Sequence, residues 1–137
     1  MHATEKNNNL VSVVALALQR ETDGKYLITR RGPGQSGEGE WEFPGGKMET
    51  GETQTGALVR EIKEELAYAI DENRLFFLAE NTEHYPLKSV RIFLWKLQID
   101  HTPEFLLSEH DLFLWLTPDE IQHFSLSTGD KPFLKFL

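Results

Sequence analysis

The chain contains no cysteine. That excludes disulfide staples, thiolate nucleophiles and zinc sites built on sulfur. Basic residues are the scarce sign: 14 Lys and Arg stand against 22 Asp and Glu, a formal net charge of -8. A surface that wraps duplex nucleic acid needs clustered Lys and Arg, so that partner is excluded. No apolar run approaches the ~20 residues that span a bilayer, and no membrane partner is expected. Leu10–Leu18 comes nearest, and with Lys6 before it and Ala15-Leu16-Ala17 within it, the segment loosely mimics a secretion signal. Glu5 and three asparagines make a poor basic start, however, and the segment reads better as a buried strand, so a cytoplasmic protein is expected. Metal-ligand spacing is missing among the histidines. His2, His84, His101, His110 and His123 are scattered, and each reads as a surface or locally hydrogen-bonded residue.

What is present suits one folded domain. The 137 residues are 39% hydrophobic and 26% charged, a globular balance with room for one core. Met1–Asn9 is polar and expected to fray. Leu10–Leu18 is the near-continuous Val, Ala and Leu run of a strand covered on both faces. Asp23-Gly24 is a hairpin-type turn leading into a strand at Lys25–Thr29. Arg30–Glu40 carries four glycines and a proline and reads as a loop. Its Gly32-Pro33-Gly34-Gln35-Ser36-Gly37 matches a dinucleotide-binding pattern, but no helix opens after it, so that context fails. Thr53–Leu66 has helical periodicity with Thr50 or Thr53 as cap. Strands are predicted at Leu75–Leu78, Val90–Ile99 and Leu112–Leu116, a helical turn at Thr117-Pro118 and a last helix at Asp130–Phe136. The fold class that follows is α/β, a mixed sheet packed between helices.

The chemistry concentrates in Trp41–Tyr68. Glu61, Glu64 and Glu65 stand at i, i+3 and i+4, sharing an arc of about 100° beside Leu58, Ile62 and Leu66. Alone, such a stripe reads as a solvated acidic face. The flanking Gly45-Gly46, however, offers backbone that approaches a ligand closely, and hard oxygen donors at this density suit Mg²⁺ or Mn²⁺. Arg60 sits beside the stripe and is placed to pair with Glu52, holding loop to helix.

Gly46, Glu52, Arg60-Glu61, Ile62 and Glu64-Glu65 stand at the spacings of the Nudix box, and the chain resembles the Nudix hydrolase family. Two positions of the box, which spans residues 46–68, depart from the family pattern: Ala67 replaces a glycine and Tyr68 an aliphatic residue. If position 67 is left-handed, Ala there costs about 1 kcal/mol relative to Gly. Leu27–Arg31 and Glu42–Lys47 further resemble the MutT-type subgroup, strongly over residues 25–68 and modestly beyond.

The resemblance implies a Nudix-type α/β/α sandwich over residues 1–137. It implies a monomeric hydrolase of small nucleotides that converts a purine deoxynucleoside triphosphate, or oxidised dGTP, to monophosphate and pyrophosphate in nucleotide-pool sanitising. Alternatives are a pyrimidine triphosphate, a nucleotide sugar, an RNA 5′ end, or an inactive nucleotide-binding module. It further implies that Glu61, Glu64, Glu65, Glu109 and the Gly45 carbonyl hold Mg²⁺ or Mn²⁺. Glu52 and Arg60 complete the catalytic set, and Glu61, or else Glu109, is the general base. Arg31 and Lys88 match phosphate-holding positions. The Phe43 backbone and Asp130 match positions that read the base, Asp130 replacing an amide there. The alternative for Asp130 is a helix N-cap. Trp41, Trp95 and Trp115 read as core or pocket walls, any one of which is a candidate for stacking on a base.

Overall fold

The computed structural model describes residues 9–137. The fraying expected at Met1–Asn9 therefore lies, Asn9 apart, outside the described residues. Strand β1 (Leu10–Arg20) is the spine of the sheet. It runs parallel to β6 (Ser89–Ile99) over its whole length, from Leu10↔Ser89 to Arg20↔Ile99. On its other side it meets β4 (Gly45–Lys47) and then β2 (Tyr26–Arg31), both antiparallel. Strand β5 (Phe76–His84) flanks β6, while β3 (Trp41–Glu42) and β7 (His110–Leu116) flank β2. One parallel pair among antiparallel ones makes the sheet mixed, as expected.

Alternation along β1 divides the core in two. Val14, Leu16 and Leu18, all fully buried, face helix α1 (Gln54–Leu66) and meet its Leu58, Ile62 and Leu66. Ala15 and Ala17 face the opposite layer, where Ile121 of α2 (Pro118–Ile121), Leu126, and Phe133 of a C-terminal 3-10 segment (Lys131–Phe136) cover the sheet. Each fully buried Leu or Ile on α1 contributes about 1.5–3 kcal/mol, so helix docking rests on three side chains. The second layer is thinner, because one short helix and a 3-10 segment do the covering. The expected last helix is that 3-10 segment.

Two segments differ from the sequence expectation. Strand β5 runs to His84, past the predicted end at Leu78. Its polar second half has low strand propensity, but pairing with β6 from Ala79↔Leu94 to His84↔Ser89 overrides it. Strand β4 contains Gly45 and Gly46, residues usually depleted in strands. A Cβ at Gly45 would land on the Val14 carbonyl, so only glycine lets this strand lie against β1 there.

Helix α1 starts where Thr53 accepts from the Gly56 N–H and ends at Ala67, which is left-handed at φ 55 and ψ 37 with its N–H bonded to the Lys63 carbonyl. The strain anticipated at position 67 is therefore present. Ala67→Gly should stabilise the protein by about 1 kcal/mol, raising the melting midpoint by about 3–4 °C. A calorimetric scan checks this, and a lower midpoint would mean that the Ala67 methyl contributes more packing than the left-handed backbone costs.

Candidate active site

The acidic stripe of α1 borders its buried face, so the three glutamates differ in depth. Glu65 is only 3% exposed, the Glu61 side chain 13% and the Glu64 side chain 57%. The burial of Glu65 has a cause. Its Oε1 accepts the Gly45 N–H at 3.2 Å, tying helix to β4 across the floor of a cleft. Burial, reinforced by a hydrogen bond shared with Glu109 and the nearby charge of Glu61, pushes its carboxyl up to about 9. Burial also raises Glu61, against the pull of Arg60. Gly46 faces Glu61 so closely that a Cβ would overlap the carboxylate.

Arg60 is the counter-charge that lets the stripe exist. It donates to both oxygens of Glu52 at 2.7 and 2.8 Å, to Glu61 at 2.8 Å and to Glu64 at 3.2 Å. It also reaches the Lys47 carbonyl at 3.0 Å. The expected pairing with Glu52 is thus in place, and it holds Glu52 down to about 2, with help from the Glu49 N–H. Glu109 arrives from a different element. The Ser108 N–H bonds the Glu65 carbonyl at 3.3 Å, which pins the approach to β7 against the end of α1 and points Glu109 toward Glu65.

These groups open into a cleft of about 560 Å³. Glu61, Glu64, Glu65, Glu109 and Gly45 line one end of it, and Arg31, Phe43 and Asp130 also line it. Glu52 and Arg60 stand behind the wall. Lys88 is not brought to it: it lies at the tip of the β5–β6 hairpin, on a neighbouring hollow with Pro86 and Leu87. Arg31 is already engaged, its guanidinium donating to the Ser36 carbonyl at 3.0 Å and to Gln35 at 3.3 Å.

Asp130 is buried and its Oδ2 accepts the Phe43 N–H at 3.0 Å. It makes no capping bond to the segment that follows, so the N-cap alternative fails. The Phe43 side chain is in the core, and its N–H is taken by Asp130. Burial and the charge of Glu42, opposed by the Phe43 N–H and the Ser127 hydroxyl, push Asp130 up to about 7.

Three residues of the cleft escaped the sequence reading. Glu42 and Tyr85 line it directly. His110 lies behind Glu42, its side chain fully buried and hydrogen-bonded to that carboxylate, so of the two roles expected of the histidines, surface or locally hydrogen-bonded, the surface one fails for it. Glu42 opens the Glu42–Lys47 segment that carries the subgroup resemblance, but nothing local assigns it a role. No periodic or motif signal marks Tyr85 or His110, because their neighbourhood is created by strand pairing. None of the tryptophans lines the cleft: Trp41 packs on Phe124, Trp95 donates to Gln54 and Trp115 lies under Arg20.

Because Asp130 titrates near 7 when folded and at an ordinary 3.8 when unfolded, the folded state holds its proton more tightly. That contribution to stability is complete below about pH 4 and is lost as pH rises through 7. Asp130→Asn stays neutral and still accepts from Phe43. Its melting midpoint should exceed the parent's by several degrees at pH 8 and much less at pH 5. Equal differences at both pH values would show that Asp130 is ionised in place without penalty.

A family model described as NUDIX domain matches residues 9–137. The CTP pyrophosphohydrolase of Escherichia coli (strain K12) is 34% identical, over 92% of this chain and 90% of that protein. The 8-oxo-dGTP diphosphatase of the same organism is 33% identical over 62% of this chain and 64% of its own length. In three dimensions the chain is similar to the MutT protein of Methanosarcina mazei Go1, with a TM-score of 0.82 at 20% identity, covering 93% of this chain and 92% of that one; this likeness concerns the fold alone.

Proposed function

The chain belongs to the NUDIX domain family and is a hydrolase of nucleotide phosphoanhydride bonds, and from that premise we propose a metal-dependent nucleoside triphosphate pyrophosphohydrolase that yields the monophosphate and pyrophosphate. One observation carries this reading. The cleft presents six carboxyl groups (Glu42, Glu61, Glu64, Glu65, Glu109 and Asp130) against two basic side chains, Arg31 and Lys47. A triphosphate would be repelled from such a surface unless cations stand between.

The residues suit a divalent cation. All donors are hard oxygens, matched to Mg²⁺ or Mn²⁺. The buried Glu65 holds a proton where a cation would serve better. As the side chains stand, no three of His, Cys, Asp and Glu among the described residues converge tightly enough to hold one ion. The reason is Arg60, which draws Glu61 and Glu64 toward itself. Glu61, Glu64, Glu65, Glu109 and the Gly45 carbonyl are the groups that would hold the metal, with Arg60 retaining Glu52. Bound there, Mg²⁺ supplies charge neutralisation of phosphate oxygens and a water of lowered pKa. The chain's own part is positional: the Gly45 N–H orients Glu65, Arg60 holds Glu52 behind the wall, and Glu61 or Glu109 takes the proton of the attacking water.

The base is read at Asp130. Its Oδ2 accepts the Phe43 N–H and the group lines the cleft, where its second oxygen would meet the base. When neutral, Oδ1–H donates and suits the ring N3 of cytosine; when ionised, Oδ1 accepts and suits the N1–H of guanine. The expected guanine preference thereby becomes the second reading. Cytosine nucleotides come first, because burial favours the neutral form and the relative matched over most of its length is a CTP pyrophosphohydrolase. The shorter match to an 8-oxo-dGTP diphosphatase supports the guanine reading.

Chelator should abolish pyrophosphate release from dCTP, and Mg²⁺ should restore it. Glu64→Gln should lower the rate at least ~100-fold, about 2.7 kcal/mol of barrier. Turnover in metal-free buffer, or a loss below tenfold, would remove the metal or Glu64 from the mechanism. For the base, kcat/KM for dCTP relative to dGTP should fall tenfold or more between pH 6 and pH 8 in the parent. It should stay flat in Asp130→Asn. A parallel pH trend in both proteins would show that another group reads the base.

A further inference from the structure

His110 is an unusual histidine. Its side chain is fully buried, its Nε2 lies 2.9 Å from Glu42 Oε2, and its Nδ1 is buried with no partner among the described residues. A carboxylate only accepts, so the Nε2 facing it carries the proton. Leaving the other ring nitrogen without a partner is a desolvation cost that packing alone does not require, since an apolar side chain would fill the space. What the arrangement gains is a fixed Glu42.

The fixing is one-sided. Arg31 also reaches Glu42 Oε2, at 3.5 Å, from the point where β2 shifts register opposite His110. Among the described residues no donor reaches Oε1. Glu42 therefore has one oxygen pinned from behind and one free, on a side chain that lines the cleft. Its charge bears on Glu65, at the metal-binding end, and also on Asp130, at the base end. In a nucleoside triphosphate, the sugar lies between phosphates and base. Resting on the site reading above, we propose that Glu42 accepts a hydrogen bond from a sugar hydroxyl of the substrate, and that His110 is the positioning residue that aims it.

Neither residue belongs to the box that carries the family resemblance, and neither is needed to hold the cation. The role predicts discrimination on the sugar. His110→Phe, which leaves the Glu42 charge in place, leaves the choice of base alone, whereas a change of charge at Glu42 also bears on Asp130. The measurement is kcat/KM for CTP, dCTP and ddCTP, with calorimetric affinity for dCMP and ddCMP in chelator as a readout free of turnover. The parent should prefer dCTP to ddCTP by about 10–100-fold, the effect of one hydrogen bond to a charged group. The dCMP/ddCMP affinity ratio should move in the same sense. Glu42→Gln should retain part of that preference, and Glu42→Leu should abolish it.

His110→Phe keeps the ring volume and removes the N–H. It should bring the dCTP/ddCTP ratio within about threefold of unity, chiefly through KM, while the dCTP/dGTP ratio stays as in the parent. His110→Gln, which retains a donor, should recover part of the sugar preference. If His110→Phe does not fold, the Glu42 variants and the parent's own ratio still decide. A parent that hydrolyses dCTP and ddCTP equally well overturns the inference while leaving the pyrophosphohydrolase reading intact. So does a sugar preference unchanged in Glu42→Leu. Failure to hydrolyse any triphosphate with Mg²⁺ present would instead overturn the underlying function.

Discussion

Everything at this site depends on keeping several carboxylates together beside an apolar core. Like charges on adjacent helical turns repel by a few tenths of a kcal/mol in water, and by far more once water is withdrawn. The protein meets this with a gradient of depth. Glu64 remains largely in solvent, Glu61 is partly covered and joined to Arg60, and Glu65 goes under with a backbone N–H and a raised pKa. Arg60 sits at the junction, shared among Glu52, Glu61 and Glu64. A guanidinium suits this position because its donors fan out in a plane and serve several acceptors at once.

The same electrostatics join the two ends of the cleft. Glu42 raises the proton affinity of both Glu65 and Asp130. A change of charge near Glu42 therefore reaches both the group proposed to bind metal and the group proposed to read the base. Binding a polyanion with its cations alters the potential along the whole cleft. Base reading by a carboxyl group that titrates near neutrality is correspondingly sensitive to what occupies the far end. An amide at position 130 would escape that coupling; the carboxyl does not.

Backbone geometry sets the limits within which these side chains work. Gly45 and Gly46 let β4 approach β1 on one side and the Glu61 carboxylate on the other. A methyl group at position 45 would meet the β1 backbone and force the strand out, whereas one at position 46 would meet the Glu61 carboxylate and displace that side chain. The Ser108 contact to the end of α1 does the equivalent service for Glu109, delivering it to the helix from over forty residues further along the chain. Rigid elements thus define the phosphate end. The Tyr85 side of the cleft is formed by an exposed hairpin tip.

Much of this was legible in the sequence, for a physical reason. Helix periodicity is local, so the stripe of Glu61, Glu64 and Glu65 beside Leu58, Ile62 and Leu66 could be placed on α1 without any tertiary knowledge. Spacing likewise predicted the Arg60–Glu52 pair, and the resemblance, whose pattern has glycine where this chain has Ala67, marked the position at which a left-handed ending would be strained. The mixed α/β architecture followed from a doubly apolar strand and one long helix. Tertiary structure alone decided the rest. The polar half of β5 is a strand only because β6 pairs with it. Lys88 stands apart from the carboxylates because its hairpin ends on the neighbouring hollow. Asp130 spends one oxygen on the Phe43 N–H, a partner 87 residues away, and so cannot act as the cap its local sequence suggested. Glu42 and His110 meet across 68 residues because β3 and β7 both pair with β2. Contacts of that range depend on register, and register is set by the packing of the whole sheet.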